Sequence, residues 1–205
     1  VDAVLAGASR PLGGAELAAI PDDRWLAAMA RGIFQAGISW KVVEAKWRGI
    51  EEAFSGFDVG RAARLDPDGI EALLADRRVI RSGPKITAIR DNAVFIARIS
   101  AQSGGFGRRI ADWPVADYAG LVQWLVKEGS RLGGMTGPYM LRSMGKESYI
   151  LSQDVTARLV AEGVVDGSVT SRKAWAAVQA AFDRWRAESG LPFNTISRVL
   201  AQSID

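Results

Sequence analysis

The residues of this sequence that could do chemistry are concentrated between residues 132 and 154. A glycine-rich run, Leu132 to Tyr139, follows one apparent helix and precedes another. Glycines let a backbone turn sharply and approach a large anion, and free amides at a helix start can bind a phosphate. Seventeen residues beyond Gly137 comes Asp154, at the start of the next apparent helix. Its carboxylate can cap that helix, or face a cleft, or do both.

The chain contains no cysteine and no histidine, which narrows the chemistry further. No disulfide can form, no Cys/His zinc or haem site can be built, and no Ser-His or Cys-His nucleophile pair is available. Acid–base chemistry therefore falls to Asp, Glu, Lys or Tyr side chains. No metal and no other cofactor is expected.

Length and composition indicate an ordinary folded protein. The 205 residues, 48% of them hydrophobic, predict a single domain over 1–205. A net charge of +3 is mildly basic and does not by itself identify a nucleic-acid partner. No hydrophobic run is long enough to span a bilayer, and Val1 to Leu12 lack the residue order of a signal peptide. We expect a cytoplasmic protein, since the absence of cysteine fits a reducing compartment.

Helical periodicity dominates the elements that must position these residues. Apolar residues at Trp40, Val43, Trp47, Ile50 and Phe54 alternate in spacings of three and four, which predicts an amphipathic helix over 39–54. Comparable patterns predict helices over 22–35, 58–65, 66–74, 85–100, 118–125, 137–144, 153–162, 170–188 and 194–202. A loop is expected around 104–107, and 149–151 is the main ambiguous strand signal. The predicted fold class is all-α.

The order of these features resembles the helix-hairpin-helix superfamily of DNA glycosylases. A helix, a glycine hairpin, a second helix and an acid opening a third follow one another within about 121–163. The resemblance implies a two-lobed all-α fold with a cleft between the lobes. It also implies that the hairpin binds a DNA phosphate, through Gly134, Thr136 and Gly137, and that Asp154 faces the sugar of an extruded nucleotide.

A second resemblance is more specific. The run Phe34-Gln-Ala-Gly-Ile-Ser-Trp40 looks like the Gln-Ala-Gly-Leu-Ser-Trp segment of the 3-methyladenine DNA glycosylase I family. The similarity continues through 54–58 and resumes in 79–81 and 85–93. It covers roughly residues 25 to 160.

This family resemblance implies an enzyme that flips a damaged purine out of the duplex and hydrolyses its N-glycosidic bond. Asp154 would stabilise the positive charge that develops on the sugar. Trp40 matches the tryptophan that stacks on the extruded base, although its place in the apolar stripe also fits a core residue. Gln35 and Ser39 would line the same pocket, and Lys85 would lie near a phosphate.

Several positions depart from the family pattern. The base-recognising glutamate of the family falls at Gly32, and the Cys/His zinc site of the family cannot exist here. Thr136 stands where the wider superfamily often has its second hairpin glycine. Pro138 occupies the position of the lysine nucleophile in bifunctional members, so a monofunctional enzyme is expected.

The leading hypothesis is a monomeric DNA glycosylase that releases an alkylated or otherwise damaged base from double-stranded DNA, without a membrane partner. It requires Asp154 and Trp40 to line one cleft with the hairpin amides at its rim. Two alternatives stay open. One is a catalytically inactive DNA-binding module of the same fold, and the other is a helical protein-interaction domain whose exposed tryptophans contact a partner.

Overall fold

The computed structural model describes residues 10–203, and over this range it is all-α, as the sequence predicts. The described helices are α1 (Gly14–Ala18), α2 (Asp22–Gln35), α3 (Trp40–Ala53), α4 (Val59–Ala63), α5 (Pro67–Ala75), α6 (Gly83–Ser103), α7 (Phe106–Ala111), α8 (Tyr118–Glu128), α9 (Thr136–Ser143), α10 (Gln153–Ala161), α11 (Arg172–Ser189) and α12 (Phe193–Ala201). None of these helices is long and apolar enough to cross a membrane. That all of 1–205 forms one domain stays a prediction, because 1–9 and 204–205 lie outside the described residues.

The long helix α6 is the centre of the first half of the chain. It packs against α2, α4, α5 and α7, and its inner side chains, such as Ile89 and Ile96, are fully buried. The aromatic residues Trp25, Phe34 and Phe106 belong to the same hydrophobic cluster. This packing fixes α2 and the turn after it, from which the segment leading to Trp40 departs.

The glycine cluster after α6 differs from the predicted loop. Gly104 ends α6 with a left-handed φ of 71°, as expected of a helix-terminating glycine. Gly107, by contrast, lies inside the short helix α7, which the sequence pattern does not reveal. A Cβ on Gly107 would lie 2.5 Å from the carbonyl oxygen of Leu17, so the glycine permits a close contact between α7 and α1.

The ambiguous segment Tyr149–Leu151 has no regular secondary structure and pairs with no strand in the described chain. Side chains of α12 take the place of a strand partner: the Ser148 amide donates to Asn194 Oδ1 at 2.8 Å, and the Ile150 amide donates to Ser197 Oγ at 3.1 Å. The Tyr149 ring stacks on Phe182 at a centroid distance of 4.2 Å. This segment connects α9 to α10 and therefore sets where Asp154 lies.

Two buried polar side chains tie the hairpin region to the first half of the chain. Asn92 of α6 exchanges two hydrogen bonds with the backbone of Ser130, at 2.8 and 2.9 Å. Lys146, which is almost fully buried, donates to the carbonyl oxygens of Ile110 and Trp113 at 2.8 and 2.6 Å. The two bonds of Asn92 satisfy both the amide and the carbonyl of Ser130.

Candidate active site

A pocket of about 340 Å³ lies where α9 meets α2 and α3. Helix α2 contributes Arg31, Gly32 and Gln35, helix α3 contributes Trp40 and Glu44, and helix α9 contributes Tyr139 and Arg142. Its size is near the lower end for small-molecule sites, and it combines aromatic walls with a few polar groups. The pocket thus joins residues that are about a hundred positions apart in the sequence.

Trp40 is the first residue of α3, and its side chain is not in the core. The residue is 55% exposed, whereas Val43 and Ile50 of the same helix are fully buried. Its ring meets Tyr139 edge to face at a centroid distance of 5.6 Å. Of the two explanations that the sequence allows, the structure therefore excludes the core one, and an indole face remains open for stacking.

The polar wall of the pocket is a network centred on Glu44. Gln35 Nε2 donates to Glu44 Oε1 at 3.2 Å, and Arg31 Nη1 lies 3.6 Å from Glu44 Oε2. The Arg31 guanidinium also lies over the Trp47 ring, 4.3 Å from its centroid. Glu44 is the one carboxylate among the lining residues, and the described chain brings no three acidic side chains together as a metal site would need.

Arg142 is the second cation of the pocket and is half-buried. Its Nη2 donates to the carbonyl oxygen of Ser148 at 2.6 Å and its Nε to Ser148 Oγ at 3.3 Å. Within residues 10–203 no carboxylate pairs with it. Burial lowers the pKa of Arg142, and the nearby hydroxyls of Tyr118 and Tyr139 partly oppose that shift. The sequence pattern points to neither Arg142 nor Glu44 as a site residue, because charged residues on a helix are usually solvated.

Gly32 lines the pocket, and the side chain of Thr136 lies against it. A Cβ built on Gly32 would lie 3.0 Å from Thr136 Cγ2, tighter than nearly all real contacts of this kind. The next nearest atom, the backbone oxygen of Thr136, would lie at 3.7 Å, which is ordinary van der Waals contact. The threonine methyl is therefore what limits a side chain at position 32.

The hairpin turn is held by its own backbone. The Gly137 amide donates to Leu132 O at 3.1 Å and the Thr136 amide to Gly133 O at 3.2 Å. A Cβ on Gly137 would lie 2.7 Å from Leu132 O, so this tight turn requires glycine. In the described chain the amides of Gly133, Gly134 and Met135 have no acceptor.

Gly134 and Met135 border a second cavity of about 450 Å³, on another side of α9. Its walls include Tyr149, Thr156 and Trp175. The hairpin glycine and the Trp40 pocket therefore lie on different faces of α9, rather than at one common rim. The phosphate-binding role of Gly134, Thr136 and Gly137 stays a prediction.

Asp154 is exposed, in the first turn of α10. The cap of this helix is Ser152, whose Oγ accepts from the Val155 amide at 3.2 Å. The Asp154 carboxylate has no hydrogen bond or ion pair with any residue of 10–203, and it is not among the residues that line the Trp40 pocket or the second cavity. The structure does not unite Asp154 and Trp40 in one lining, and the catalytic role of Asp154 stays a prediction.

Lys85 and Ser39 lie at the connection between α2 and α3. Lys85 Nζ donates to the carbonyl oxygens of Phe34 and Ala36 at 3.0 and 2.6 Å, which caps the C-terminal end of α2. Burial, and secondarily the charge of Arg131, lowers the pKa of Lys85. Ser39 is the exposed residue before α3 and does not line the Trp40 pocket. Their predicted contacts with phosphate and base stay predictions.

The chain is similar in sequence and in fold to known DNA glycosylases. Residues 20–120, which include Trp40 but not the hairpin, match the sequence profile of the methyladenine glycosylase family. A crystal structure of 3-methyladenine DNA glycosylase I superposes on 61% of this chain and 79% of its own, with a TM-score of 0.52 and 23% identity. The Staphylococcus aureus 3-methyladenine DNA glycosylase I superposes on 69% of this chain and 82% of its own, with a TM-score of 0.55 and 20% identity.

At these identities the superpositions establish the common fold, while the profile match carries the sequence relationship. Together they confirm the resemblance that the segment from Gln35 to Trp40 indicates. Residues 20–120, close to half of the chain, match the methyladenine glycosylase family, and the chain resembles members of that family in fold.

Proposed function

We propose that this protein is a monofunctional DNA glycosylase that flips an alkylated or otherwise damaged base out of double-stranded DNA and releases it by hydrolysis, acting as a monomer. The observation that carries this proposal is the position of Trp40. It belongs to the segment that matches the family, and it lies exposed at a pocket beside Tyr139 instead of in the core. An exposed tryptophan at a pocket is what stacking on an extruded base needs.

Flipping a base costs stacking and pairing energy, which contacts to the DNA backbone and to the base must offset. Trp40 and Tyr139 would offer aromatic surface to the base, and Gln35 would add a polar edge through its amide. The acceptor-free amides of Gly134 and Met135 would hold a phosphate, with Gly137 and Thr136 shaping the turn. Lys85 keeps one of its three ammonium hydrogens for a second phosphate.

Asp154 is the proposed catalytic carboxylate. Ser152 already caps α10, so capping does not account for Asp154, and its carboxylate has no competing partner in the described chain. Its place in the first turn puts the carboxylate at the positive end of the helix dipole. As the glycosidic bond breaks, a carboxylate close to the sugar would stabilise the developing positive charge. Pro138 at the lysine position supports simple hydrolysis over a Schiff-base route.

The test is release of free base from methylated duplex DNA and from duplexes with other lesions. We expect release by the wild-type protein and strong loss in Asp154→Asn, with Asp166→Asn, an acid outside α10, as the control. Unchanged activity in Asp154→Asn would remove Asp154 from the mechanism. Salt-dependent binding without turnover would favour the inactive DNA-binding module. Absence of DNA affinity even at low salt would favour the protein-interaction domain.

A further inference from the structure

The charges lining the Trp40 pocket are mainly positive. The lining contains two guanidinium groups, those of Arg31 and Arg142, and one carboxylate, that of Glu44. That carboxylate is already bonded to Arg31 and accepts a hydrogen bond from Gln35. No carboxylate of the lining is therefore left to bind a positively charged base.

Arg142 is the cation that Glu44 does not neutralise. The partners of its guanidinium in the described chain are the carbonyl and hydroxyl oxygens of Ser148, both uncharged. A guanidinium carries five N–H donors, and these two bonds use two of them. A half-buried cation that is not paired with an acid attracts an acceptor and repels another cation more strongly than a solvated one does.

A carboxylate side chain at position 32 could reverse this balance, but it would press on Thr136. Position 32 holds glycine, and the Thr136 methyl group occupies the space that a side chain there would enter, at 3.0 Å from its Cβ. Gly32 and Thr136 thus keep this part of the pocket free of charge, beside a cation supplied by α9.

We propose that the Trp40 pocket takes a neutral lesion base that carries a carbonyl oxygen, held by Arg142, rather than a cationic alkylated base. This inference rests on the proposed glycosylase function and names its substrate class. The carbonyl oxygen accepts from the free guanidinium hydrogens, while the ring stacks on Trp40. A deaminated purine has this chemistry, and its weakened pairing lowers the cost of flipping relative to an undamaged guanine.

The same contact assists departure of a neutral base. When the C1′–N bond breaks, its electron pair leaves with the base, which becomes an anion. The guanidinium stabilises that negative charge at the carbonyl oxygen. The oxygen of water bonds to C1′, and one proton of that water neutralises the departing base, so the products are the free base and a hydroxylated sugar. A cationic base leaves as a neutral molecule and needs no such help.

The experiment compares two duplexes, one with hypoxanthine opposite thymine and one with 7-methylguanine, which also has a carbonyl oxygen but is cationic. We expect faster base release from the hypoxanthine duplex. Arg142→Gln keeps a donor for Ser148 but removes the charge, and we expect it to lower hypoxanthine release by about tenfold or more, with little effect on 7-methylguanine. Arg108→Gln, which removes an exposed charge from α7 outside the pocket, is the matched control.

A second variant does not depend on the fold tolerating a change at Arg142. Gly32→Glu combined with Thr136→Gly adds a carboxylate and removes the methyl group that obstructs it. We expect this double variant to shift preference toward 7-methylguanine, while Thr136→Gly alone leaves the preference unchanged. Preference of the wild-type protein for the cationic duplex would overturn the inference and leave the proposed glycosylase function intact.

If no base is released, binding of nucleosides tests the preference of the pocket for a neutral base independently of the glycosylase activity. Quenching of tryptophan fluorescence, with Trp40→Phe as the background, reports occupancy of the pocket by inosine or by 7-methylguanosine at mildly acidic pH. Tighter binding of inosine supports the inference even where absent turnover defeats the glycosylase proposal. Equal affinity, or tighter binding of 7-methylguanosine, overturns it.

Discussion

Gly32 of α2 and Thr136 of α9 are in direct contact, with Thr136 Cγ2 3.0 Å from the position a Cβ on Gly32 would take. In the sequence they are two separate departures from the pattern that the family resemblance implies, one in α2 and one in the hairpin. In the structure they are one feature, since the threonine methyl fills the space that the missing side chain leaves. A change at either position therefore alters the environment of the other.

This contact predicts coupled stabilities. Alanine in a helix interior is about 1 kcal/mol better than glycine, but overpacking a tight site costs about 1–3 kcal/mol. We expect Gly32→Ala to leave stability unchanged or lower in the wild-type background, and to raise it by about 0.5–1 kcal/mol in the Thr136→Ala background. Urea unfolding of the four proteins gives the coupling energy. Additive effects of the two substitutions would show that the contact carries no energy.

The exposure of Trp40 predicts a separation of binding from stability. Because the side chain is 55% exposed, Trp40→Ala is expected to change the unfolding free energy by less than about 0.5 kcal/mol. Loss of stacking on an extruded base is expected to weaken binding to abasic-site or lesion duplexes by about tenfold, and Trp40→Phe is expected to retain most of the affinity. Fluorescence anisotropy with labelled duplexes measures the DNA affinity of both variants, and urea unfolding measures their stability. Unchanged DNA affinity in Trp40→Ala would refute the stacking role.

The position of Lys85 allows two roles, and the salt dependence of DNA binding distinguishes them. Lys85→Gln removes an ammonium that caps α2, which we expect to cost about 1 kcal/mol of stability. If Lys85 also binds a phosphate, the slope of log affinity against log salt becomes shallower by about one unit. Lys41→Gln, an exposed lysine next to Trp40, is the control for general charge. A weaker affinity with an unchanged slope would limit Lys85 to holding the end of α2.

Buried tyrosines predict the response to alkali. Burial raises the pKa of Tyr149, and also that of Tyr118, above the ordinary value of 10.0. The unfolded chain then releases these protons first, so the stabilisation is complete below pH 10 and is lost as pH rises above it, by at most about 1.4 kcal/mol per pH unit for each group. Denaturant titrations over this range should show that loss, and a smaller one in Tyr149→Phe. An equal loss in both proteins would contradict the assignment.

The sequence predicts the helices well because their apolar stripes are regular, as the run from Val43 to Ile50 shows. It does not reveal α7, because Gly107 is typical of a loop. In the structure this glycine instead permits the close contact between α7 and α1. The sequence also leaves Trp40 ambiguous, since the first residue of an amphipathic helix can face either way. Arg142 and Glu44 enter the pocket only through the packing of α9 on α2 and α3, which a local pattern does not contain. The predicted union of Asp154 with Trp40 depends on the same long-range geometry.

The segment before α10 depends on α12 for hydrogen bonds, and this bears on how the chain tolerates shortening. The amides of Ser148 and Ile150 donate to side chains of α12. The last described helix therefore holds the residues that lead to Asp154 in position. Truncation before α12 would remove these bonds, although no residue of α12 lines the Trp40 pocket. Under the proposed function, a protein shortened in this way should still bind an extruded base and yet cleave its N-glycosidic bond poorly, so that α12 would support catalysis from outside the Trp40 pocket.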